Sequence, residues 1–197
     1  MTPPRIPPQD PAEWDADFLD ALSVATRPGA TRNMAENTTP ERPRPVSNVL
    51  GVLSWHPALT RGWMTFNNHL FHSTLPGRLR EIMVVRVAWL RQAEFEWAQH
   101  VKMARTQGVS DEEIDALSGG ADTTWSPAEA AAIRATDEIC RDRVVSDETW
   151  SRLEEHFDRK QVMDLIFTAG AYDLFAMVCN TVGLQLDPGL EGFGVKA

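Results

Sequence analysis

The sequence predicts an all-α protein, and three observations carry that prediction. From residue 48 onward prolines and serines recur where helices start, as at Pro57, Pro76, Ser110, Ser126 and Ser146. The residues after each start follow a helical period. Between these segments no alternating strand pattern survives.

In chain order, the first 45 residues hold nine of the thirteen prolines. "TPPRIPPQDP" and "TTPERPRPV" cannot sustain a regular helix, because proline has no amide hydrogen to donate. Residues 1–47 are therefore expected to be a proline-rich arm, and residues 48–197 a helical domain. Within the arm, Trp14, Phe18 and Leu22 recur every four residues and predict one short amphipathic helix that docks on the body or on a neighbouring subunit.

Helices are then expected at 58–72 and 77–91, after Pro57 and Pro76. The next runs over 94–107 and is closed by Gly108. Ser110 with Glu113 forms a capping box for a helix at 111–117, and Ser126, Pro127 and Glu129 do the same for 127–142. Ser146 caps 147–156, and a long apolar helix follows at 159–183. Residues 79–97 and 159–177 echo one another, each passing from a charged start to an aromatic-acid pair. A degenerate duplication and the shared composition of buried helices both account for this echo.

The chain has 197 residues, 43% hydrophobic, and a formal net charge of −9, without a cluster of Lys and Arg. That balance argues against a nucleic-acid partner. Residues 165–184 approach the length of a membrane span, but Asp173 near their middle favours a buried helix in a soluble protein, so no membrane is expected. The N-terminal residues show neither a basic nor an apolar leader region, which gives the cytoplasm as the expected compartment. Cys140 and Cys179 are far apart and read as two buried free thiols.

Three residues could carry acid/base chemistry. Glu81 heads a helix that is apolar from 82 to 90 except at Arg86. Burial would raise its pKa into a useful range, whereas pairing with an arginine or with the helix dipole would make it merely structural. Glu96 and His100, four residues apart in "AEFEWAQH", share one helix face and are expected to touch, either as an acid/base pair or as a solvated surface pair. Glu94 points elsewhere. Arg86 is a candidate anchor for a substrate carboxylate or, equally, one half of an internal salt bridge. His69 and His72 lie one turn apart without a third ligand, so no metal site is expected. His56 and His156 read as turn and surface residues.

The run "TLPGRLREIMVVRVAWLRQAEFEWAQHVKMARTQGVSDEEIDAL", residues 74–117, resembles the carboxymuconolactone decarboxylase family, in the superfamily of the AhpD-like alkylhydroperoxidases. The resemblance implies an AhpD-like helical domain. The peroxidase branch of that superfamily carries E-x11-C-x2-C-x3-H, and laid on this sequence the spacing gives Glu81, Ala93, Glu96 and His100. Neither cysteine position holds a thiol, so cysteine peroxidase activity is not expected. The resemblance implies a decarboxylase-like enzyme with His100 as proton donor or shuttle, Glu96 as its orienting or proton-exchanging partner and Glu81 as a second relay carboxyl. It further implies a small-molecule substrate, no cofactor and a homo-oligomer. Another acid/base enzyme on the same fold (an isomerase, cyclase or dehydratase) and a catalytically silent binding protein are the alternative readings.

Overall fold

A computed structural model describes residues 3–24, 46–120 and 125–193. The described residues hold α-helices and one 3-10 turn, Pro11–Glu13, with no strand among them. In chain order the helices are α1 (Ala16–Leu22), α2 (Asn48–Leu53), α3 (Pro57–Phe71), α4 (Gly77–Leu90), α5 (Glu94–Thr106), α6 (Asp111–Ala116), α7 (Pro127–Asp142), α8 (Asp147–His156) and α9 (Arg159–Val182). Of the arm expected over 1–47, residues 1–2 and 25–45 lie outside the described residues.

The chain divides into two compact units, one of residues 1–72 with 181–189, the other of residues 73–180 with 190–197. In the first, the Asp15 carboxylate caps α1 by accepting the Phe18 N–H at 2.8 Å, and Trp14 meets Phe18 edge-on at 4.8 Å. Phe18, Ala21 and Leu22 are buried, and α1 packs on α3. The proline-rich stretch before α1 is tied down by its backbone: Gln9 N–H donates to the Gly51 carbonyl at 2.8 Å, and the Trp55 indole N–H donates to the Pro7 carbonyl at 2.8 Å. Gly51 is needed there, since a β-carbon would sit 2.7 Å from the Pro8 side chain. That same glycine, in a six-residue helix, concealed α2 from periodicity.

The second unit is built around α4. Every residue from Leu79 to Ala88 is buried, so this helix has no wet face. Its Leu79 and Met83 join Ala132, Ala135, Leu153, Leu165 and Ala169 in one core cluster. Its Ile82 and Val85 join Trp97, Val101, Ile114, Leu117 and Ile133 in another. Each large side chain withdrawn from water in this way contributes roughly 1.5–3 kcal/mol. The capping boxes at Ser110/Glu113 and Ser126/Glu129 are both formed, and Ser146 caps α8. Gly108 follows α5 with a φ of +82°, a left-handed conformation that glycine adopts without a steric penalty.

Helix α9 is long and apolar enough to cross a membrane, but half of its apolar stretch is buried inside the protein. Asp173 in its middle is held by ion pairs to Arg91 and Arg143. The carboxylate that argued against a lipid environment is thus neutralised within the protein.

Candidate active site

The site lies within the second unit, where α4 supplies Arg80 and Glu81, α5 supplies Glu96 and His100, and α9 supplies Tyr172. The break between α4 and α5 is short. Gln92 turns it with a φ of +51°, and the Ala93 N–H returns to the Ala88 carbonyl at 2.9 Å. This tight reversal lays the two helices side by side and brings Glu81 to His100, nineteen residues later.

Glu81 is fully buried. One carboxylate oxygen meets Nδ1 of His100 at 2.7 Å, and the other accepts from Nε of the buried Arg80 at 3.1 Å. Burial pushes the Glu81 carboxyl up, but His100 and then Arg80 outweigh it and hold the group below its ordinary value. It is therefore a carboxylate at neutral pH, and it orients the imidazole through Nδ1, leaving Nε2 as the working nitrogen. The Tyr172 ring stands edge-on to the imidazole at 4.9 Å and an interplanar angle of 82°.

Glu96 is in the opposite state. It is 1% exposed, and neither carboxyl oxygen finds a hydrogen-bond partner among the described residues. Burial first, and then the charge of Asp173, raise its pKa well above the ordinary 4.5. Glu81 and Glu96 are thus pushed in opposite directions, one held below and the other raised above the ordinary carboxyl value, an arrangement that suits separate acid and base roles. On α9, the Thr168 hydroxyl, one turn before Tyr172, is also buried without a partner.

The structure joins His100 on α5 to Glu81 on α4 and so reverses the expected pairing, while Glu96 lies buried on α5 one turn before His100 without a hydrogen bond to it. Arg86 needs a further correction as a substrate anchor. It is committed to Asp137, at 2.6 and 3.1 Å, and to the Leu117 carbonyl at 2.5 Å, so the internal salt bridge is the reading that holds. Arg80 and Tyr172 were missed. Arg80 had a signal in standing directly before Glu81, whereas nothing in the sequence joins Tyr172 to His100.

Cys140 and Cys179 are free and buried. Burial, followed by the charge of Asp173, pushes the Cys140 thiol up to about 12, and burial with the nearby Glu96 raises Cys179 further. Neither is a reactive thiolate at neutral pH. Nδ1 of His72 lies 2.9 Å from the Asn68 carbonyl, and His56 caps α3 by accepting the Leu59 N–H at 3.3 Å. Among the described residues no group of three or more His, Cys, Asp or Glu is placed to hold a metal ion.

Residues 57–138 match the carboxymuconolactone decarboxylase family. The uncharacterised protein YdfG of Bacillus subtilis (strain 168) is 27% identical over 106 residues, which cover 52% of this chain and 72% of YdfG. Among solved structures, the fold is similar to an uncharacterised peroxidase-related protein with an alkylhydroperoxidase AhpD core from Ralstonia eutropha JMP134, with a TM-score of 0.75, 18% identity and 95% of each chain covered. It is also similar to the debrominase Bmp8 in complex with 2,3,4-tribromopyrrole, with a TM-score of 0.71, 11% identity, and 93% of this chain and 91% of that one covered. Residues 57–138 thus match the model of the carboxymuconolactone decarboxylase family, and the chain has an AhpD-like all-helical fold without the cysteine pair of the peroxidase branch.

Proposed function

We propose that this protein is a cofactor-independent, decarboxylase-like enzyme acting on a small cyclic oxo-acid or lactone of the 4-carboxymuconolactone kind. The observation that carries the reading is Glu96, a buried acid with a raised pKa and no partner, one helical turn before a histidine whose other side is held by Glu81. In such a substrate the departing carboxylate sits on the ring carbon that is joined, through the ring alkene, to the lactone carbonyl. The substrate is its own electron sink. Loss of CO2 leaves the bonding pair in an extended dienolate, and a proton delivered to carbon completes the reaction.

Glu96 is the group already protonated for that delivery, and it is restored by one proton from solvent. His100, fixed by Glu81, either hydrogen-bonds the dienolate oxygen through Nε2 or relays the proton. Glu81 is a positioning residue in this scheme. Of the two roles expected for Glu96, orienting His100 and exchanging a proton, the first thus passes to Glu81.

A second acid/base reading, an isomerase, cyclase or dehydratase on the same fold, draws support from one observation. The two buried arginines, Arg80 and Arg86, are both ion-paired within the protein, so neither is offered to a substrate carboxylate. The silent binding protein is disfavoured, because an idle Glu96–His100 pair would be expected in solvent, and both residues are buried. The proposed compartment is the cytoplasm, in keeping with two free thiols.

The test is turnover of 4-carboxymuconolactone, followed as CO2 release, for the wild type beside Glu96→Gln and His100→Asn. The reading expects turnover that falls by at least about a hundredfold in both variants. Absence of turnover by the wild type would retire the decarboxylase reading in favour of the second.

A further inference from the structure

Helix α9 turns one side toward the candidate site. Tyr172 stands edge-on to the His100 ring at 4.9 Å, and the Glu96 charge raises the Cys179 thiol, so Cys179 lies near Glu96. Thr168 is on the same side. Counted at about 100° per residue, Thr168, Tyr172 and Cys179 fall within about 40° of one another. All three are buried, whereas Gly170, Leu174 and Met177 on the opposite side are exposed. The order along α5 and α9 is opposed: Cys179 goes with Glu96, Tyr172 goes with His100, and Thr168 extends the row one turn beyond His100.

Thr168 is 0% exposed, and its hydroxyl finds no hydrogen-bond partner among the described residues. A threonine inside a helix ordinarily closes its hydroxyl on the carbonyl one turn back. Thr65 and Thr136 do so, donating to the Arg61 and Ala132 carbonyls, each at 2.8 Å. Thr168 leaves the Asp164 carbonyl unused. A buried hydroxyl turned away from its nearest acceptor is unfavourable for the fold and suits a group that bonds a ligand. Glu96, at the other end of the row, is in the same state. The two orphans bracket His100, which at 8% exposure is the member of the row that reaches solvent and so marks the entry.

We infer that Thr168 is a further catalytic residue, whose hydroxyl donates a hydrogen bond to the carbonyl oxygen of the substrate and holds that oxygen as it gains charge. The inference deepens the decarboxylase reading above and rests on it for the identity of the substrate. In the dienolate left by loss of CO2, negative charge gathers on the lactone oxygen at one end of the conjugated system, and the proton enters at the carbon at the other end. The row offers its groups in that order, an acid at Glu96, the imidazole between, and a hydroxyl donor at Thr168. Donation leaves the Thr168 O–H bond intact, and the proton transferred is the one that Glu96 gives to carbon. With the oxygen held by Thr168, His100 takes the second of its two roles, relaying the proton from solvent.

The test compares Thr168→Val, which keeps the shape and removes the hydroxyl, with Thr168→Ser, which keeps the hydroxyl, in two assays on the full chain. In turnover of 4-carboxymuconolactone, Thr168→Val should lower kcat about a hundredfold with a much smaller change in KM, and Thr168→Ser should recover most of the loss. The second assay needs no turnover. Ionised 4-nitrophenol is a planar ring oxyanion like the dienolate, and its absorbance reports its ionisation. Bound to the wild type or to Thr168→Ser, it should ionise at a pH at least about one unit lower than when bound to Thr168→Val. Thr168→Val should melt at the wild-type temperature or higher, because the hydroxyl it removes is unpaired in the fold. If the wild type leaves 4-carboxymuconolactone untouched while the ionisation of 4-nitrophenol still depends on the hydroxyl, the decarboxylase reading fails and Thr168 stands as the oxygen donor. If Thr168→Val turns over the lactone as fast as the wild type, or ionises bound 4-nitrophenol at the same pH, the inference is overturned, as it would be were the hydroxyl the seat of a structural water. Failure of the wild type to bind 4-nitrophenol, or a Thr168→Val chain that melts below the wild type, would overturn it as well.

Discussion

Replacing Glu96 by methionine is expected to make the protein more stable while removing its chemistry. The two Glu96 oxygens are buried without a partner, and an unsatisfied buried polar group costs about 1–3 kcal/mol. Methionine has nearly the same length and volume, so it leaves no cavity. The gain should therefore be about 1–3 kcal/mol, or roughly 2–10 °C in melting temperature for a chain of this size. Its pH dependence has a definite sign. The folded-state pKa of Glu96 lies above the unfolded value of 4.5, so the native state holds the extra proton in that window. The stability this provides is complete below 4.5 and is lost as pH rises toward the folded value. Glu96→Met has no such loss, and its advantage over the wild type should widen as pH increases. Urea unfolding at fixed protein concentration, repeated at several pH values between about 4 and 8, measures both effects. A variant at least 1 kcal/mol less stable than the wild type, or a difference that does not change with pH, would refute the description of Glu96 as an orphaned neutral acid.

Other substitutions follow from the same geometry. Glu81→Gln leaves the buried Arg80 without its anionic partner and should cost roughly 3–5 kcal/mol in urea unfolding, with activity lost through a misplaced His100. Because the pKa of Glu81 is lowered, the stability it contributes is present above 4.5 and lost as pH falls through its folded value, opposite in sign to Glu96. Arg86→Met should destabilise the protein by about 3–5 kcal/mol, since Asp137 and the Leu117 carbonyl lose their donor. At temperatures where that variant is folded its KM should stay at the wild-type value, whereas a raised KM would restore Arg86 as a substrate anchor.

Much of the fold was legible because helix punctuation is local. Ser110 with Glu113 and Ser126 with Glu129 satisfy the first amides of their own helices within three residues, so the signal and the structure share one stretch of chain. Helix α2 was not legible, because it is short and its Gly51 serves a contact with Pro8 rather than a helical preference. In the candidate site the sequence offered Glu81, Glu96 and His100 as candidates but not the wiring between them. A shared face put Glu96 near His100, but the partner of His100 was decided by the reversal at Gln92 and Ala93, which stacks α4 on α5 and delivers Glu81. Arg86 illustrates the same limit, since Asp137 lies 51 residues away. The exposed half of α9 was hidden for a different reason: a helix apolar on all sides looks buried in sequence, and only packing shows which half is covered.

The central claim is that one carboxyl of this cluster is protonated while the other is ionised, and infrared difference spectroscopy addresses it directly. At neutral pH the wild type should show the carbonyl stretch of a buried, protonated carboxylic acid that disappears in Glu96→Gln and persists in Glu81→Gln. If that band is absent from the wild type at neutral pH, Glu96 is ionised, and the assignment of Glu96 as the proton donor is contradicted.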